Sequence, residues 1–145
     1  MNLRSSLFLF SRLSIASVLF IGGFLKATGP AAEFAGALAA YQILPAVWVI
    51  PLSHIIPWME LLTGTYLFFG FYTRFFATVA AALYFSFIVF LASTIFRHID
   101  LASCGCFGAI EMAPKKTISL DAACFLLSLL TVHAGPVKPS IDFWL

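Results

Sequence analysis

Cys104-Gly105-Cys106 is the stretch of this chain whose residue types and spacing are best suited to chemistry. Two thiols one residue apart close a tight ring on oxidation, and a disulfide held away from relaxed geometry is more easily reduced. Gly105 eases that closure because it lacks a Cβ. Exchange proceeds through a thiolate, which cations favour, and Arg97, Lys115 and Lys116 lie on either side of the pair in sequence. Cys104 and Cys106 are therefore the candidate catalytic residues. Cys124 is a candidate supporting residue, either as a resolving thiol or as a small apolar residue of the core. A lone C-x-C is also compatible with a structural staple or with two inert thiols. His98, Asp100, Cys104 and Cys106 have metal-ligand chemistry, but their spacing differs from the paired clusters of common structural sites, so no metal site is assigned.

A second chemistry-bearing position is Glu60, the one charge between Trp48 and Phe69. An ionisable group within a membrane span costs a few kcal/mol unless it faces a protein interior or finds a partner, so it is a functional candidate by default. Pro57, Glu60, Gly64 and Leu67 share one helical face, and Gly64 would let a neighbouring helix approach there. Lys26, at the end of the first apolar segment, is the expected partner of Glu60. Arg12 belongs to the opposite membrane end, where its long side chain is expected to reach the headgroups. A structural ion pair and a proton-relay or quinone-binding group are the two readings of Lys26 and Glu60.

The elements that must position these residues follow from composition. Of 145 residues, 62% are hydrophobic and only 10% charged, with mean hydropathy +1.04. An ordinary soluble domain is about 25% charged. Burying so apolar a surface takes lipid, and the net charge of +2 is too small to imply nucleic acid. A spanning helix takes roughly 20 residues. Uncharged or nearly uncharged runs of that order fall at about 7–26, 48–69, 75–96 and 118–134. Asp121 is expected in the first turn of the last span, where a carboxylate complements the helix dipole. Open sheets cannot satisfy their backbone in lipid, so the expected fold is all-α: one integral membrane four-helix bundle over residues 1–145.

Between the first two spans, Phe34, Leu38 and Tyr41 recur at helical spacing after Pro30, which predicts a short interfacial helix. Gly22 and Gly23 suit close helix contact in the first span, which is read as retained rather than cleaved as a signal. With four spans, Arg4, Arg12, Arg74 and Lys138 balance Lys26, Arg97, Lys115 and Lys116 across the membrane. The first helix usually dominates orientation, and Arg4 and Arg12 there favour cytoplasmic termini, with the Cys-Gly-Cys connection on the periplasmic side of a bacterial inner membrane.

Three segments carry a resemblance across nearly the whole chain: GGFLKATGPAAEFAGALAAYQILP from Gly22 to Pro45, IIPWMELLTGTYLFFGFYTR from Ile55 to Arg74, and CGCFG from Cys104 to Gly108. On these the chain resembles the methylamine utilisation protein E branch of the DoxX-like redox-associated membrane proteins. The resemblance implies a four-helix membrane protein tied to thiol and disulfide chemistry, with a thioredoxin-like partner that serves maturation of disulfide-rich periplasmic enzymes. The matching positions are Lys26, Tyr41, Pro45, Pro57, Glu60, Gly64, Cys104, Cys106, Phe107 and Gly108. Asp121 fits the family pattern less clearly.

Two function classes follow. One is a membrane thiol-disulfide oxidoreductase or redox maturation factor, in which Cys104 and Cys106 exchange with a thioredoxin-like protein and membrane quinone is the candidate electron carrier. The other is a non-enzymatic assembly or anchoring subunit, in a membrane complex or homo-oligomer, whose cysteines stiffen a connection. A transporter fits less well, since the chain is small and shows no internal repeat. Haem is disfavoured, because His54, His98 and His133 are divided between the two membrane ends and no C-x-x-C-H motif occurs.

Overall fold

The computed structural model describes residues 3–99 and 114–134, so Cys104 and Cys106 lie outside the described residues. Among the described residues five helices follow in order: α1 (Leu3–Thr28), α2 (Ala31–Ala40), α3 (Ala46–Phe69), α4 (Thr73–Phe96) and α5 (Pro114–Ala134). All but α2 are long and apolar enough to cross a membrane. The expected all-α bundle, with a short helix between the first two long ones, is the fold observed.

The two most extensive interfaces join α1 to α3 and α4 to α5, and α1 also runs along α5. Glycine sets the first. A Cβ on Gly23 would stand 2.7 Å from the Leu61 nitrogen and 2.8 Å from the Pro57 carbonyl oxygen, and one on Gly64 would stand 2.7 Å from the Phe20 nitrogen. Each helix thus offers a glycine where the other's backbone arrives, the small-residue packing that replaces hydrophobic driving force in lipid. Pro51 and Pro57 both lie inside α3, where each removes a backbone donor, as membrane helices tolerate when neighbouring groups compensate.

Gly70 ends α3 in the left-handed region at φ 72°. Its N–H bonds the Leu67 carbonyl at 3.2 Å and the Phe71 N–H bonds that of Tyr66 at 2.9 Å. This paired closure of the helix end leads straight into α4. At the other end of the bundle, α2 presses Phe34, Leu38 and Tyr41 onto Val49 of α3 and Leu91 of α4. The Arg97 guanidinium, just past α4, donates to the carbonyls of Gln42 (3.3 Å) and Tyr41 (3.5 Å), tying the end of α2 to the start of the cysteine connection.

Polarity is distributed as lipid would require. Phe10, Trp58, Leu62, Phe75, Phe85 and Leu126 are exposed on the outside of the bundle, while Ser11, Arg12, Lys26, Glu60, Thr94 and Asp121 are buried. The inward face of α5 is almost wholly polar: Thr117, Asp121, Cys124, Ser128 and Thr131 are all buried.

Two residues depart from expectation. Arg12 does not reach out to headgroups; it is only 4% exposed, because it shares the inward face of α1 with Ile15, Ala16 and Leu19. Its position near one end of an apolar run fixes its depth but not its facing. Asp121 is not in a first turn. Helix α5 starts at Pro114, whose missing N–H costs nothing at a helix start, so Asp121 sits about two turns further in. Lys115 and Lys116 belong to that helix rather than to the connection, and counting only uncharged residues cuts them off.

Candidate functional site within the bundle

Lys26 occupies the last turn of α1, where a cation complements the helix dipole. One turn earlier, Gly23 brings the α1 backbone against α3 at Pro57 and Glu60. That approach lets the Lys26 side chain reach Glu60. Its Nζ donates to both carboxylate oxygens, at 2.6 Å each. The pair is enclosed, with Lys26 5% and Glu60 1% exposed.

Aromatic rings complete the enclosure. The Lys26 ammonium stands 5.3 Å from the ring centres of Phe34 on α2 and Phe87 on α4. Both rings are within range of cation–π attraction. Phe34 belongs to one apolar cluster and Phe87 packs against the other, so the ion pair lies where the two cores of the molecule meet. Removing two charges from water costs several kcal/mol per ion, and attraction offsets this only with good geometry and further polar contacts. The two-pronged contact provides the geometry, and the flanking rings add cation–π attraction.

Beside the pair lies a cavity of about 20 Å³, lined by Val18, Leu19, Gly22, Lys26, Glu60, Tyr84, Phe87 and Asp121. Four helices contribute: α1, α3, α4 and α5. The Tyr84 hydroxyl points inward, 3.5 Å from the Ile15 carbonyl, and Cys124 adjoins it. A cavity of this size takes a single water molecule, which needs two to four polar partners.

Of the candidate residues, the fold brings Lys26 and Glu60 into direct contact. Cys124 lies deeper along α5, 3% exposed in the core with Tyr84, Ile15 and Ala16, which is packing rather than an accessible thiol. Tyr41 stacks on Phe90 at 5.7 Å, Pro45 precedes α3, and Pro57 and Gly64 lie in the α1 contact, so these family positions act on the architecture. Phe107 and Gly108 are outside the described residues, as is Asp100 of the weighed metal-ligand set; His98 is exposed at the end of α4. Among the described residues no three His, Cys, Asp or Glu side chains converge on a metal position. Tyr84 carries no signal in sequence, because one tyrosine in an apolar run looks like any lipid-facing aromatic.

The description "Methylamine utilisation protein MauE" belongs to the family model that matches residues 4–135. The chain belongs to the MauE family. It is 35% identical over 101 residues to the methylamine utilization protein MauE of Methylophilus methylotrophus, an alignment covering 68% of this chain and 51% of that protein. The chain thus spans about half the length of the curated relative that it matches. No solved structure matches. With four apolar helices of spanning length, this MauE-family chain is a multi-pass membrane protein, and its family fits a redox-associated membrane role.

Proposed function

We propose that this MauE-family chain is a membrane thiol-disulfide oxidoreductase or redox maturation factor, acting through Cys104 and Cys106 on a thioredoxin-like periplasmic partner. The observation that carries the reading is the siting of a C-x-C pair in the connection between α4 and α5, bracketed by positive charge. Exposed Arg97 ends one helix and exposed Lys115 and Lys116 begin the next. Cations near a thiol favour the thiolate, which is the attacking species.

In the oxidising direction, a partner thiolate attacks one sulfur of the Cys104–Cys106 disulfide and expels the other as thiolate, forming a mixed disulfide. The partner's second thiol resolves it and leaves oxidised. Two electrons and two protons then reside on Cys104 and Cys106. A membrane quinone, when bound, would supply the two-electron, two-proton acceptor that restores the disulfide.

The second reading, an anchoring or assembly subunit, draws on a specific observation too: the Lys26–Glu60 pair joins α1 to α3 and is capped by α2, as a structural clamp would be. Single replacements of Cys104 and Cys106 by serine separate the two. On the oxidoreductase reading, one of them accumulates a mixed disulfide with a thioredoxin-like protein, identified by mass. If both replacements yield no adduct and leave function intact, the cysteines are structural.

A further inference from the structure

Glu60 and Asp121 come from α3 and α5 and line the same cavity, together with Lys26 of α1 and Tyr84 of α4. Neither carboxylate has any reason in sequence to meet the other. Each is almost fully buried, at depth in a span. The groups facing the cavity from every packed element are known: Lys26, Glu60, Tyr84 and Asp121, with Cys124 adjoining Tyr84, whereas α2 contributes only the Phe34 ring against Lys26. The set holds groups that can give up a proton and groups that can take one. The cavity, of about 20 Å³, is the size of one water. Its polar lining supplies the two to four partners such a water needs.

We infer that Glu60, Asp121 and one water in this cavity form an intramembrane proton relay, with Lys26 and Tyr84 as its positioning residues. In the step, the carboxyl of Asp121 gives its proton to the water while a proton of that water passes to the Glu60 carboxylate. Asp121 ends ionised and Glu60 neutral, with no electron transferred and the water regenerated. Lys26 holds the Glu60 carboxyl in place throughout, and Tyr84 closes the cavity on the α4 side. The same contact that looks like a static clamp is then the resting state of a switchable pair. Such a relay does not depend on the chemistry of Cys104 and Cys106 and is tested without them.

Infrared spectroscopy of the full chain in detergent, stepped between neutral and acidic pH in H2O and in D2O, reads it directly. At rest the wild type should show an exchangeable carboxylic C=O band that disappears in Asp121→Asn, because Asp121 holds the proton there, and at acidic pH a second such band that disappears in Glu60→Gln. Val18→Leu narrows the cavity without touching an ionisable group, and should displace the resting band. Tyr84→Phe, which removes only the hydroxyl, should alter its exchange in D2O. If Asp121→Asn and Val18→Leu both leave the carboxylic region as in the wild type, or the resting band does not exchange, the relay is wrong. Should Glu60→Gln fail to fold, the loss of the resting band in Asp121→Asn and its displacement in Val18→Leu still decide.

Discussion

Lys26 and Glu60 stand 34 residues apart in sequence and meet with the ammonium 2.6 Å from both carboxylate oxygens, inside a bundle whose outer surface is apolar. Removing one partner strands the other as a buried charge, whereas removing both leaves an apolar contact. Lys26→Met or Glu60→Leu alone should therefore lower unfolding free energy by about 3–5 kcal/mol, and the double variant should recover most of the loss. Denaturant titration of the detergent-solubilised chain measures this. A double variant no more stable than either single variant would contradict the pairing.

Glycine at the α1–α3 contact leads to a second expectation. Gly23→Ala and Gly64→Ala each place a Cβ under 3 Å from backbone atoms, which cannot move aside as a side-chain tip can. Overpacking of this kind costs about 1–3 kcal/mol. A methyl group on Gly36 of α2 would have nothing within 4 Å. Gly36→Ala should therefore be neutral or stabilise by up to about 1 kcal/mol through helix propensity. Thermal unfolding of the three variants compares them, and equal effects at all three positions would refute the close approach.

Cys124 should behave as core rather than as a redox partner. In the folded chain it is expected to resist maleimide labelling and to become reactive only on unfolding, since access to sulfur limits its reaction. Cys124→Ala should keep the redox transition of the other two cysteines. Rapid labelling of folded protein would overturn the assignment.

Topology is accessible through the same thiol chemistry. If the connection between α4 and α5 faces the periplasm, a membrane-impermeant thiol reagent should label reduced Cys104 or Cys106 in cells whose outer membrane alone has been opened. Labelling that appears only after the inner membrane is lysed would reverse the orientation.

The Lys26–Glu60 contact was legible in the sequence because a carboxylate in an apolar run needs a partner, and Lys26 is the cation at the correct end of a neighbouring span. Gly23 and Gly64 announced a close helix approach for a comparable reason. Arg12 was misplaced because its depth is fixed by sequence position, whereas its facing depends on α5 running along the same side of α1. Asp121 was misplaced because Lys115 and Lys116 interrupt the apolar run although the helix passes through them. Tyr84 and the cavity could not be read at all: they exist only where four helices converge, and nothing in the spacing of any one helix marks that point.

Reversible disulfide formation between Cys104 and Cys106, with exchange to a partner, is the property on which the proposed function rests. Equilibrating the detergent-solubilised chain across thiol redox buffers, alkylating the free thiols and weighing the product by mass spectrometry tests it most directly. A two-electron transition is expected that is lost on replacing Cys104 or Cys106 and kept on replacing Cys124. Sulfurs that stay reduced in the most oxidising buffer, or a transition that survives both replacements, would contradict it.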